Sequence, residues 1–371
     1  MRRTVYISLA LGALGVRSLG AQSPARGSIV GIVSGKETGA PLPYADILVE
    51  GTRSPAFVDN EGRFRVSGLP TGEIRIRVRR VGFTPAIVAV NVHAGATDTV
   101  RVALAQIAIR LDRVSVRDKV CPGGGTNDTS VVAILQQVQM NAERAAMLAH
   151  QLPFNSWIER VVGDETALRA VIGERVAAHH IVMDTIWLPS EHDWQYEPGN
   201  LVSIPADQGR TGRAQMNVPQ LIDFASERFV AAHCFRYAGL RDVDRRQLVQ
   251  VDVEAAKEIK TPDVKGSLYL DPANYDIVRS SLYMEMASPV DLRDMWETHV
   301  DTWFREILPG LRVIDRVCMR MAVHTQRGYS PRASAEAQRL LELRFVNDAP
   351  PGFMPIAPAQ VDSTRRTACP K

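Results

Sequence analysis

The chain has 371 residues, 45% of them hydrophobic and 23% charged, which excludes a largely disordered or fibrous protein and is long enough for two domains. The formal charge of +3 includes Arg2, Arg3 and Arg17, which stand in a stretch without acidic residues, so the remainder is close to neutral. A near-neutral body gives no electrostatic basis for a nucleic-acid partner.

Arg2 and Arg3 make a basic start, Val5 to Val16 an apolar stretch, and Leu19-Gly20-Ala21 a small-residue cleavage site. Residues 1–21 therefore read as a signal peptide, with the mature chain starting at Gln22. The apolar stretch is short for a bilayer span, and nothing later reads as a transmembrane helix. No cysteine sits near the cut, which disfavours a lipid anchor. The chain is expected to be exported to the periplasm or outer membrane, or secreted. In such an oxidising setting Cys121, Cys234, Cys318 and Cys369 are expected to form disulfides, and spacing alone does not choose among the three pairings. The expected pairing is Cys121 with Cys234, pinning a linker to a sheet, and Cys318 with Cys369, tying down a Pro-rich tail.

From Ser28 to Leu104 short alternating runs are separated by turn residues. Strands are predicted at Ser28 to Val33, Asp46 to Val49, Arg63 to Val66, Glu73 to Arg79, Ile87 to Val92 and Thr99 to Leu104. About seven such strands in so short a stretch indicate a small antiparallel sandwich. Asp59-Asn60-Glu61-Gly62 reads as a β-turn before an aromatic strand residue, not as a calcium loop. The glycines of Gly68 to Gly72 precede a strand and lack the lysine of a phosphate loop.

Gly31-Ile32-Val33, Thr38-Gly39-Ala40-Pro41-Leu42, Ala45-Asp46-Ile47, Val49-Glu50-Gly51-Thr52, Asp59 to Phe64, Leu69-Pro70-Thr71-Gly72 and Gly82-Phe83 follow one another in this stretch. In that order they resemble the carboxypeptidase regulatory-like domain. The resemblance implies a transthyretin-like (prealbumin-like) sandwich, a fold that opens many TonB-dependent receptors and that binds or supports instead of catalysing. It covers residues 28–105, and the segment Leu111 to Val116 looks like the connector to such a receptor's plug. Too few residues remain for the receptor barrel, and serial amphipathic strands of barrel type are absent. Sugar binding on aromatic platforms is a minor expectation for this domain. Its Tyr44, Phe57, Phe64 and Phe83 sit in or beside strand patterns, and all five tryptophans come later.

Residues 106–128 read as a linker containing Pro122-Gly123-Gly124-Gly125. Thr126 to Thr129 then cap a predicted helix from Ser130 to His150, with Val131, Ile134, Leu135, Val138 and Ala142 on its apolar side. Further strands are predicted at Ser156 to Val162, Leu168 to Val176, Ile181 to Trp187, Leu248 to Val253, Gly266 to Asp271, Ile277 to Met284 and Val300 to Phe304. Gly266-Ser267-Leu268-Tyr269-Leu270-Asp271 followed by Tyr275 to Val278 resembles the strand, turn, strand unit of LolA-like, outer-membrane-lipoprotein-like curved sheets. That resemblance implies an α+β domain over residues 129–347 with a large antiparallel sheet, offering a hydrophobic-ligand or partner surface, followed by a Pro-rich tail from 348 to 371. The fold class expected is therefore mainly β, a seven-stranded sandwich followed by an α+β domain.

No zinc-peptidase or serine-hydrolase motif occurs, so the expectation is a non-catalytic envelope protein without a cofactor. The alternative is a hydrolase or metalloprotein using His179, His180, Asp184, Glu191, His192 and Asp193. Against it, strand alternation would send His179 and His180 to opposite faces. His233 beside Cys234 would suit a reactive thiol pair, but export favours a disulfide there. The remaining candidate is a basic face. Arg63 and Arg65 alternate with Phe64 and Val66, and Arg75, Arg77 and Arg79 with Ile74, Ile76 and Val78. If the two strands pair as a hairpin through Ser67 to Gly72, Arg65 stands opposite Arg75 and Arg63 opposite Arg77, a cluster fit for an envelope protein, anionic lipid or lipopolysaccharide. The bland reading is a solvated face relieved by Asp46, Glu50 or the second domain.

Overall fold

A computed structural model describes residues 26–51, 56–80, 82–106, 124, 129–164, 182–190, 194–203, 215–287, 295–325, 328–349, 353 and 356. The chain is mainly β. Seven strands come first: β1 Arg26–Gly35, β2 Asp46–Val49, β3 Ala56–Phe57, β4 Arg63–Pro70, β5 Gly72–Arg79, β6 Ala86–Val92 and β7 Thr97–Leu104. They form a three-stranded sheet in the order β4-β1-β7 and a four-stranded sheet in the order β3-β2-β5-β6. The apolar residues of each alternating strand turn inward. Ile29, Val33, Phe64, Val100 and Val102 of one sheet meet Ile47, Val49, Ile76, Val78 and Val90 of the other in a single core.

Two expectations are corrected here. The sandwich is not wholly antiparallel, because β1 and β7 run parallel, Ser28 facing Thr97 and Gly35 facing Leu104. Nor do β4 and β5 form a hairpin: β4 pairs with β1, while β5 pairs with β2 and β6. Only Thr71 separates β4 from β5, and Gly72 has φ 110°, a left-handed conformation that lets the chain swing from one sheet to the other. Two alternating strands on a short Gly-rich connection satisfy a hairpin and a sheet-switching corner equally well, since either register buries the same apolar side. The arginine partners therefore differ from those expected, Arg65 facing Val30, Arg63 facing Ile32, Arg75 facing Ala89 and Arg77 facing Leu48 and Ile87.

Helix α1 Thr129–Gln151 follows, its Val131, Ile134, Val138 and Ala142 buried at helical spacing. Eleven more strands come next: β8 Phe154–Asp164, β9 Val182–Pro189, β10 Val202–Ser203, β11 Gln215–Met216, β12 His233–Val243, β13 Arg246–Ala255, β14 Lys265–Leu270, β15 Ile277–Ala287, β16 Met295–Leu308, β17 Leu311–Thr325 and β18 Gly328–Phe345. Nine of them build one antiparallel sheet in the order β12-β13-β14-β15-β16-β17-β18-β8-β9. Two short helices, α2 Leu221–Ala225 and α3 Glu227–Ala232, precede β12. The stretch from Phe229 to Phe235 is therefore helical as far as Ala232 and extended from His233. Ser226 caps α3 by accepting a hydrogen bond from the Phe229 amide, which starts the helical turn. The predicted strand Leu168 to Val176 lies outside the described residues.

The helices cover one face of the large sheet. Val249, Val251 and Val253 alternate along β13 and meet Leu268, Leu282 and α1 in a shared core with Phe224 and Phe229. A second cluster of Leu148, Phe154, Ile307, Leu308, Leu311 and Leu343 closes the end of α1. Among the described residues no helix is long and apolar enough to cross a membrane.

Candidate functional site

The second domain has a groove of about 860 Å³ between the helices and the sheet. One wall is α1, which presents Gln139, Ala142, Glu143, Ala146, Ala149 and His150 along its length. These positions recur at three- and four-residue intervals, so they form one stripe, roughly 16 Å long at 1.5 Å per residue. The alanines in that stripe hold the groove open. Phe154 and Ile158 of β8, Phe304 of β16 and Leu311, Val313 and Ile314 of β17 supply apolar surface opposite. Leu188 and Ile222, 42% and 38% exposed, make an apolar lip where the groove meets solvent.

Trp194 and Tyr196 form part of the remaining wall, and a buried polar cluster fixes that segment. The Asp223 carboxylate accepts the Tyr196 amide at 3.1 Å and the Gln220 amide at 2.8 Å. The Tyr196 hydroxyl donates to Asp263 at 2.6 Å. Burial, with help from that carboxylate, pushes the Tyr196 phenol well above its ordinary value, so it remains a donor. His233 lies on the other side of Asp263, its Nε2 3.1 Å from Oδ1 and its Nδ1 2.9 Å from the Phe229 carbonyl oxygen. The ring stacks on Phe229 at 3.9 Å between centroids. The side chains of His233 and Asp263 are buried behind the groove wall, so the geometry of the cluster suits anchoring.

Charged groups adjoin the groove as well. Arg312, which lines the groove, donates to Asp276 at 3.0 Å and lies 3.7 Å from Glu306. Burial raises the Asp276 carboxyl above its ordinary range, and Arg312 only partly offsets this. A carboxyl whose folded-state value is raised contributes stability that is present at acid pH and lost as pH rises through the raised value. The ordinary carboxyl value is about 4, so the loss belongs to the window above it. Asp276→Asn removes this dependence. The stability of the variant relative to the parent should climb as pH rises from about 4 towards neutrality, read by thermal melts in matched buffers. Parallel profiles would contradict the assignment.

The five arginines do not share a face. Arg63 and Arg65 are exposed on the three-stranded sheet, and Arg75 and Arg77 on the four-stranded sheet. Arg79 is buried, its guanidinium held by Asp46 at 2.7 Å and by Glu143 of α1 at 2.8 Å. The surface for anionic lipid or lipopolysaccharide that rested on a common basic face therefore has no geometric basis. His179, His180, Glu191, His192, Asp193 and the side chain of Asp184 lie outside the described residues, as do Cys121 and Cys369. Cys234 lies on β12 and Cys318, buried, on β17, and neither is a free thiol. What the sequence did not reveal is the groove itself. Its one local signal is the spacing of Ala142, Ala146 and Ala149, small residues on the α1 side next to the apolar stripe.

Residues 28–105 match the family model of the carboxypeptidase regulatory-like domain. Among solved structures, the chain is similar to a putative outer membrane lipoprotein-sorting protein domain from Vibrio parahaemolyticus. The identity is 12% over 58% of this chain and 94% of that one, with a TM-score of 0.31. A DUF1329 family protein from Desulfovibrio piger is similar at 10% identity over 58% of this chain and 95% of that one, TM-score 0.29. The minor pilin of Streptococcus agalactiae is 19% identical over 25% of this chain, TM-score 0.21, and the match spans 49% of the pilin's length. Comparison with curated proteins gives no match.

Proposed function

We propose that the chain is an exported, non-catalytic envelope protein whose second domain binds one elongated apolar, lipid-like molecule in the groove along α1. The observation that carries this reading is the groove itself: about 860 Å³, lined mainly by alanine, aromatic and aliphatic side chains with Gln139, Glu143, His150 and Arg312 among them, and open to solvent at an apolar lip. That volume lies in the range of small-molecule sites, roughly 300–1,000 Å³, and an open apolar concavity in water favours an apolar occupant. The basic start, apolar stretch and Ala21 support export. In the same reading Cys121 pairs with Cys234 and Cys318 with Cys369, and the sandwich serves binding or support without chemistry of its own.

The test is titration with the apolar fluorophore N-phenyl-1-naphthylamine. The wild-type protein is expected to enhance its fluorescence saturably with one site, and Ala149→Trp, which fills the groove wall, to weaken binding by about tenfold or more. Absence of saturable binding by the wild type would overturn the proposal. Equal affinity of the two proteins would move the site away from α1.

A further inference from the structure

The sandwich touches the second domain at the helix that walls the groove and at elements packed beside it. Gly82 stands over the turn that joins β14 to β15, where a Cβ would lie 3.1 Å from the Ala273 carbonyl oxygen. The neighbouring Asn274 carbonyl accepts a hydrogen bond from Asn141 of α1 at 3.1 Å. One step further along α1, Glu143 accepts from Arg79 of the sandwich at 2.8 Å. Near the end of the helix, Phe57 of β3 packs against the cluster containing Leu148, Ile307 and Leu308.

Glu143 belongs to both structures. It lies in the groove-lining stripe of α1, and it is one of the two carboxylates that hold the buried Arg79 guanidinium. Asp46 keeps Arg79 inside the sandwich on its own account, so the second bond, to Glu143, is the one that ties the sandwich to α1. Gln139, one turn earlier in the stripe, donates to the other Glu143 oxygen at 3.2 Å and orients the carboxylate. Arg79 is nearly buried whereas Glu143 is half exposed, so freeing this bond leaves an under-satisfied guanidinium in the sandwich and a helix free to shift.

We propose that the sandwich is a clamp on the ligand groove, with Arg79 as a positioning residue that sets the place of α1 through Glu143. The proposal rests on the groove being the ligand site. It gives the sandwich a role that its own surface does not provide: anything that docks on the sandwich and disturbs β5 alters the groove without touching it.

Two measurements on the full chain test this, hydrogen exchange by mass spectrometry and titration with N-phenyl-1-naphthylamine, on the wild type, Glu143→Ala and Glu143→Gln. In Glu143→Ala the amides of α1 should exchange about tenfold faster while those of β1 and β7 keep their protection. The probe should bind about threefold more weakly. Glu143→Gln retains an acceptor for Arg79 and should restore most of both properties. Unchanged α1 exchange in Glu143→Ala overturns the clamp, as does faster exchange with unchanged probe affinity. A wild-type protein that leaves the probe unbound defeats the groove reading itself, which is a different result from equal binding by wild type and variant.

Discussion

Asp263→Ala is expected to lower the free energy of unfolding by about 2–6 kcal/mol, because it leaves buried hydrogen-bonding groups without their partner. Three donors converge on this carboxylate: the Tyr196 hydroxyl, His233 Nε2 at 3.1 Å and the Val264 amide at 2.8 Å. The side chains of His233 and Asp263 are 0% and 2% exposed, so water cannot replace what the substitution removes. An orphaned buried donor costs about 1–3 kcal/mol, and here two side-chain donors lose their acceptor together. Tyr196→Phe removes one donor and leaves the carboxylate with the other two, so it should cost only about 1 kcal/mol. Urea unfolding of the two variants, with the slope checked for constancy, decides. A loss below about 1 kcal/mol for Asp263→Ala would show that the cluster does not hold the groove wall.

None of this cluster was legible in the chain, because its members are far apart in sequence. His233 drew notice only for its neighbour Cys234, whereas its partners beyond Phe229 stand on the Trp194–Asn200 segment and just before β14. Local pattern did reveal what local pattern determines. Alternation placed six strands of the sandwich, and the stripe from Val131 to Ala142 placed α1. Ala56–Phe57 escaped because two residues carry no period. Pairing depends on which sheet a strand joins, and alternation is silent on that. Arg63 and Arg65 were correctly turned outward yet given partners they do not have. Arg79 ended inside the molecule because its two carboxylates come from β2 and α1, a juxtaposition that only the folded chain creates. The groove was hidden for a related reason: the alanines that open it are good helix formers anywhere, and the strand residues facing them read as ordinary core.

Replacing Cys121 with serine is expected to cost about 2–5 kcal/mol of stability under oxidising conditions, and nothing once the wild type is reduced. The argument begins with the sheet. Cys234 lies on β12, at one edge, and Cys318 on β17, five strands away. At about 4.8 Å per strand the two are separated by roughly 24 Å, far beyond the Cα distance of about 7 Å that a disulfide tolerates. They cannot pair with each other, which leaves each to Cys121 or Cys369. Gly124 chooses between those two. It lies so close to the Ala231 carbonyl that a Cβ would sit 1.6 Å from the oxygen, an approach only glycine permits. Three residues of extended chain reach about 11 Å at most. Ala231 is itself three residues before Cys234, so this reach favours the proposed Cys121–Cys234 pairing over one with Cys318. The pairing we propose therefore leaves Cys369 to Cys318. The first bond closes a loop of about 110 residues, for which the chain-entropy model gives a stabilisation near 5 kcal/mol before any native strain is subtracted. Non-reducing peptide mapping of the wild type should yield the Cys121–Cys234 and Cys318–Cys369 peptides, and in Cys121→Ser alkylation should label Cys234 but not Cys318. A Cys121–Cys318 peptide would overturn the assignment, because it would require the linker to leave the Ala231 contact altogether.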